Sequence, residues 1–412
     1  MSPLVEAIAR RRLLSGAGAA AVCFTVPRRL RAETASDGFR VLRARPAAPG
    51  TEGQTSGWGY DGAVPGPALR VKRGEELRVR LVNELPEPTT IHWHGLRLPN
   101  AMDGVPLLTQ PPIAPGASFD YRFRPPDAGT FLYHAYLAEQ SERGLYGALT
   151  VEEPEPVGVD RDIVLLLASG EPGGAAVRVN GALRPDIAVK RGERLRLRLI
   201  NASAARGLVL KLDAHVPWVM ALDGQPAEPF VARDGRLGLA PGGRADLFVD
   251  MIRAPGTIAP LLAGVRDEQA IARLVYESGG EARTRSDPPA LPSNPLPARI
   301  DLKGSLRVEL PLAAPKPIDP PGAPIFTVKR GRAVTLAIRN PTGQPQVVHL
   351  HGHSFRLLDR LDDGWKPYWL DTMVVGEQTE RIAFVADNPG KWLIASRPLE
   401  QRGGAAGWFA VT

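Results

Sequence analysis

The chain has 412 residues, 43% hydrophobic and 23% charged, with 43 Gly and 41 Pro; this is the composition of a folded, turn-rich protein of about two to four domains and excludes a disordered tail. The formal charge of +7 is concentrated at the start, where residues 1–32 hold six Arg against the single acidic Glu6, so the nearly neutral remainder excludes a nucleic-acid-binding body. The one cysteine, Cys23, falls in that same segment, which excludes disulfides, thiolate-held metal and a thiol nucleophile from the chain that follows it.

Residues 1–35 read as an export signal. Arg10-Arg11-Arg12-Leu13-Leu14 precede a short run of small and apolar residues at 17–26, the pattern of a twin-arginine leader, with cleavage expected after Ala32 or Ala35. The run is too short to remain as a membrane span, and no later stretch is apolar enough for one. The expected location is the periplasm or an equivalent exported compartment.

The rest of the chain repeats one unit three times. Val71-Lys72-Arg73-Gly74, Val189-Lys190-Arg191-Gly192 and Val328-Lys329-Arg330-Gly331 each open a segment of alternating apolar residues, such as Leu77, Val79 and Leu81 or Leu195, Leu197 and Leu199. Alternation with period two predicts strands with one buried and one wet face, so Arg196 and Arg198 are expected in solvent. Each run ends at an Asn (Asn83, Asn201, Asn340), a residue suited to turns. Short strands among dense Pro and Gly predict an all-β chain of sandwiches in series, with domains over 36–153, 154–290 and 291–412 joined by Pro-rich segments at 152–157 and 288–297.

Histidine is sparse and patterned. Eighteen residues after Gly74 comes His92-Trp93-His94-Gly95, and eighteen after Gly331 comes His349-Leu350-His351-Gly352. On a strand, residues i and i+2 share a face, so each pair offers two imidazoles to one place, a donor set suited to copper, zinc, iron or nickel. His215 stands alone in the second repeat and is expected to be structural. His353 is expected to support its neighbours without ligating. Asp103, in Asp103-Gly104, reads equally as a proton relay or a turn residue.

These residues resemble the multicopper oxidase family. His92-Trp93-His94-Gly95 looks like its first copper motif, Gly129-Thr130-Phe131-Leu132-Tyr133-His134 like its second, and His349-Leu350-His351-Gly352-His353 like its third. Leu98-Pro99-Asn100-Ala101-Met102-Asp103-Gly104, Ala240-Pro241-Gly242-Gly243-Arg244-Ala245-Asp246, Asp371-Thr372 and Ala386-Asp387-Asn388-Pro389-Gly390-Lys391-Trp392 extend the likeness over nearly the whole exported chain. The resemblance implies three consecutive cupredoxin-like Greek-key β-barrel domains, with a copper cluster between the first and third. It further implies metal ligation by His92, His94, His134, His349 and His351, and a proton-moving role for Asp103.

The family pattern is broken elsewhere. Where it has His-x-His at the second motif, this chain has His134-Ala135-Tyr136, and its last motif is replaced by Ala395, Ser396, Arg397 and Gln401. Gln346 stands where the family has a further His, and Ala406 near its axial Met. The repeat supports this alignment, because His134 and Ala395 each lie five residues after a Gly, Gly129 and Gly390. The mononuclear, thiolate-held copper that admits electrons has lost its ligands, whereas five of the eight cluster ligands persist. Tyr136 is either a phenolate donor or a ring filling the vacated volume. The expected cofactor is therefore one copper ion and not four, with laccase-like turnover lost. The expected partner is a small-molecule or metal-ion electron donor, or a protein in the exported compartment. The competing expectation is a copper-free interaction scaffold, since the family includes a copper-free cell-division member exported by the same route.

Overall fold

The computed structural model describes residues 35–47, 57–169, 176–312, 322–358, 364–401 and 403–412, all within the compact body Ala32–Thr412. The leader expected at 1–35 falls outside them except for Ala35. Among the described residues the regular structure is strand, apart from the helix Ala138–Glu142 and two 3-10 turns. The strands form three pairs of sheets, each with its own core, built around Trp93 and Tyr133 in the first, Leu197 and Leu247 in the second, and Trp392 and Phe384 in the third.

The repeat seen in the sequence is a repeat of turns. In each Val-Lys-Arg-Gly the Lys carbonyl accepts from the residue three later, at Glu75, Glu193 and Arg332, and the Gly takes φ of +82, +87 and +83°. That left-handed position favours glycine. Asn83, Asn201 and Asn340 are likewise one device. Each buries its side chain, accepts through Oδ1 from the backbone N–H two residues on at 3.0 to 3.1 Å, and donates Nδ2 to a nearby carbonyl.

Two sheets position the histidines. In the first domain the order is Leu69–Lys72, Tyr146–Glu152, Gly129–Ala135, Ile91–His94; in the third it is Thr327–Val328, Ala405–Val411, Gly390–Pro398, Gln346–Leu350, Thr372–Val375. The same placement in both puts a His-x-His strand beside the strand that begins at Gly129 or Gly390.

The arginine face of Arg194–Asn201 is the point at which the sequence expectation fails. Arg196 and Arg198 are 0% and 1% exposed. Their face is covered by the first domain. Arg196 pairs with Asp246 at 2.5 Å and Glu153 at 2.8 Å, while Arg198 pairs with Asp162 at 2.7 Å and donates to Thr130 Oγ1 at 2.9 Å. Thr130 in turn donates to Asp246 at 2.5 Å. Alternation reveals two unlike faces, but a polar face meeting complementary charge on another domain is dry. The segment 288–297 is also strapped down, with the Asn294 amide bonded to Ala128 on both sides at 2.9 Å and Arg97 bridging Asp127, Asp387 and the Pro295 carbonyl.

Asp246 carries the charge balance of this cluster. Asp246→Ala is expected to destabilise the protein by about 3 kcal/mol through the uncompensated arginines, read as a lower midpoint in chemical denaturation; an unchanged midpoint would show the cluster to be energetically neutral.

Candidate metal centre

His92 lies opposite His134 in the first-domain ladder, and His349 lies between Thr372 and Ala395 in the third-domain ladder. His94 ends its strand and His351 follows the next one. Packing the two domains brings all five rings together, each no more than 6% exposed. His92 and His351 rings lie 4.0 Å apart, and His94 stacks on His349 at 3.7 Å. The sequence-derived ligand set thus converges. Three subsets bring their ligand atoms within 4.8 Å of one another: His92, His94 and His134; His92, His349 and His351; and His94, His349 and Asp371.

Hydrogen bonding decides where each ring carries its proton. His92 Nδ1 donates to the Asp103 backbone carbonyl at 3.0 Å, His134 Nδ1 to the Ala135 carbonyl at 2.7 Å, and His349 Nδ1 to the Asp371 carbonyl at 3.0 Å. A carbonyl only accepts, so these rings are protonated on Nδ1 and bare on Nε2. His351 Nδ1 donates to the Asp103 carboxylate at 3.0 Å. Thr372 Oγ1 gives its proton to Asp371 at 2.7 Å and accepts from His94 Nε2 at 2.9 Å, which leaves His94 bare on Nδ1. Lone pairs then face one another: His92 Nε2 and His349 Nε2 at 3.3 Å, His94 Nδ1 and His134 Nε2 at 3.5 Å. Facing lone pairs repel unless a cation lies between them, and 3.3 Å suits two nitrogens each roughly 2 Å from one ion.

The electrostatics keep the rings ready. Burial lowers the pKa of all five histidines; neighbouring imidazoles and Arg244 or Arg397 add to this, Asp103 and Asp371 oppose it at His92, His94, His349 and His351, and burial prevails, so the neutral form is favoured. Burial pushes the Asp103 carboxyl up, yet the charges and hydrogen bonds of His351 and His92 outweigh it and hold it below the usual carboxylate range. Asp371 behaves alike, burial being outweighed by Arg244 and by the His349 and His94 rings beside its carboxylate. Asp103 therefore sits both in a turn and on two imidazoles.

Sequence reasoning assigned no part to Thr372, Arg244, Asp223 or Gly242. Arg244, from the second domain, pairs with the Asp371 carboxylate and donates to the Gly242 carbonyl at 2.8 Å. Asp223 accepts from the backbone N–H groups of Asp371 and Thr372 at 3.1 Å each. Gly242 (φ +81°) lies against the His94 ring, where any Cβ would collide. Arg244 and Gly242 belong to the Pro-Gly-Gly-Arg-Ala-Asp segment and Thr372 to Asp371-Thr372, so their only sequence signal was membership of those motifs.

The changed positions are plainly different. Ala395 brings no donor atom. Gln346 is buried and donates to Thr342 Oγ1 at 3.1 Å, Ser396 donates to the Ala405 carbonyl at 3.4 Å, and Gln401 is exposed. These residues do not fit a thiolate-held copper, lacking a sulfur and having their polar groups engaged locally. Tyr136 has a buried hydroxyl without a partner, its pKa pushed up to about 12 by burial, less the opposing pull of Arg397. His353 packs among Phe384, Trp392 and Phe409 and donates to the His351 carbonyl at 3.1 Å. His215 bonds Tyr276 at 2.5 Å, away from the centre.

Comparison with known proteins agrees with this geometry. Multicopper oxidase family profiles match residues 33–156, 152–259 and 292–401. The chain is 29% identical over 408 residues to multicopper oxidase MmcO of Mycobacterium tuberculosis, covering 81% of this chain and 79% of that protein. Among solved structures it is 34% identical to a multicopper oxidase from Pseudomonas thermotolerans, with TM-score 0.81 over 90% of this chain and 98% of that one. It is 34% identical to Lac15 from a marine microbial metagenome, with TM-score 0.79 over 90% and 99%.

His353 gives a pH test apart from the five converging rings. Burial drops its pKa from 6.5 to about 4, so the unfolded chain takes up a proton there that the folded one refuses. Its contribution to stability is complete above pH 6.5 and is lost as pH falls toward 4. His353→Leu is expected to flatten the acid-side decline of unfolding free energy across that window; an equally steep decline would assign it to other groups.

Proposed function

This chain belongs to the multicopper oxidase family, and from that premise we propose that it is an exported protein binding one copper ion at the five-histidine centre, with at most weak oxidoreductase activity. The observation that carries the reading is the opposed pair His92 Nε2 and His349 Nε2, both left bare by backbone carbonyls. His94, His134 and His351 complete the donor set. A single ion is favoured because Ala395 supplies no ligand and Arg397 brings a fixed positive charge that opposes a second metal. The reading takes the domains as 36–153, 154–290 and 291–412, and the twin-arginine leader as the route of export.

Copper, when bound, supplies one-electron chemistry. The protein's own part is to exclude bulk water, to keep five imidazoles neutral, and to hold their donor atoms inward. Asp103 is ionised and touches His92 and His351, so it is the group suited to hold and pass a proton at the ring Nδ1 atoms. Asp371 and Thr372 orient His349 and His94. Loss of the thiolate-held copper removes the family's built-in electron entry, which leaves a diffusing small molecule or metal ion as the donor. The second reading, a copper-free scaffold for a protein partner, draws its support from Arg397, since a guanidinium can replace metal charge in holding the domains together.

Elemental analysis and electron paramagnetic resonance on exported, copper-supplemented, dialysed protein separate the two. Near one copper per chain is expected, with a type-2-like spectrum, no blue thiolate absorption, and loss of the ion in His92→Ala with His349→Ala. A stoichiometry near zero would favour the scaffold, and one near four would overturn the single-ion reading.

A further inference from the structure

Strand register places Ala395 opposite His349, and where a larger side chain would reach toward the rings there is instead a small cavity. Its volume is about 30 Å³, and its walls include His94, His134, His349, Ser203, Ala395 and Arg397. No carboxylate is among the residues that line it. The second domain contributes Ala202, Ser203 and Ala204 to its lining.

Arg397 is poorly served for a cation in such a place. Its guanidinium has five N–H donors, yet its one hydrogen bond among the described residues goes to the Ala204 carbonyl at 3.4 Å, and no described carboxylate lies within ion-pair distance. Burial weakens its hold on the proton, Tyr136 and the more distant carboxylates of Glu139 and Glu142 oppose that, and a guanidinium stays charged. Ser203 accepts from Ser169 N–H at 3.2 Å and keeps its own proton to donate. The Tyr136 hydroxyl nearby is buried and without a partner.

From this cluster we propose that the cavity is a binding site for a small planar oxyanion of formate or nitrite size, with Arg397 as its anchor and Ser203 as a second donor. A half-buried guanidinium with no carboxylate in contact attracts an anion, and a planar carboxylate-like anion matches the guanidinium fork in two parallel hydrogen bonds. The volume is about twice what one water requires, enough for three heavy atoms and too little for an aromatic donor. The anion would lie along the edges of His94, His134 and His349, beside the metal centre, so ligands reaching the ion from this side are small anions. The proposal stands on Arg397 and the cavity, and holds with or without copper.

The test uses the metal-free full chain in chloride-poor buffer, titrated with ¹³C-formate and followed by NMR and calorimetry. Saturable binding of one formate is expected, weakened at least about tenfold in Arg397→Leu and partly restored in Arg397→Lys, the bidentate contact being lost. Ala395→Leu fills the cavity while keeping the guanidinium, so it is expected to abolish binding even if Arg397→Leu fails to fold. Absence of saturable binding to the folded wild type, or undiminished binding in folded Ala395→Leu, overturns the proposal without touching the copper reading.

Discussion

Every imidazole of the central cluster spends its proton on an acceptor outside the cluster, and the rest of the structure follows from keeping those acceptors in place. Three of the acceptors are backbone carbonyls, of Asp103, Ala135 and Asp371. A carbonyl cannot reverse its role, so the bare nitrogen must face inward. The other two depend on acids held ionised by their surroundings, Asp103 directly and Asp371 through Thr372. Two facing pairs of unprotonated nitrogens, His92 with His349 and His94 with His134, are unfavourable by themselves, and only a rigid frame or a cation makes the arrangement stable.

The frame is a clasp between domains. Asp103 of the first domain holds His351 of the third, and Thr372 of the third holds His94 of the first. The middle domain has no histidine pair, yet it locks the clasp. Arg244 reaches Asp371, Asp223 ties down the backbone of Asp371 and Thr372, and Gly242 lets the loop lie flat on His94. The buried Arg196 and Arg198 cluster then fastens the middle domain to the first. Such dry ion pairs are costly to make and specify one docking arrangement.

Against that frame, the substitutions sort by what they remove. Gln346 and Ser396 turn their polar groups to neighbours, so neither offers a free donor for a metal. Ala395 and Arg397 act differently. They carry no imidazole and leave the five rings held in place, because the acceptors that orient those rings lie on other residues. The result is a five-histidine centre with a small cavity beside Ala395 and a positive charge on its rim.

The amino-acid order alone determined the all-β architecture, the threefold repeat and the five histidines, because each rests on short-range spacing: eighteen residues from glycine to His-x-His, two between strand neighbours, five from Gly129 to His134. It also shows which residue types stand at Tyr136, Gln346, Ala395, Ser396, Arg397 and Gln401, since side-chain identity is visible without coordinates. It misjudged Arg196 and Arg198, whose burial comes from complementary charge and shape on residues remote in the chain, including Asp246 and Glu153. Only the tertiary structure decided which nitrogen of each ring is bare, since His94 takes its acceptor from Thr372 and His351 from Asp103, both far off in the chain. It alone decided that Ala395 opens a cavity beside an underused guanidinium, because that depends on what four separate strands and a second-domain loop leave unfilled.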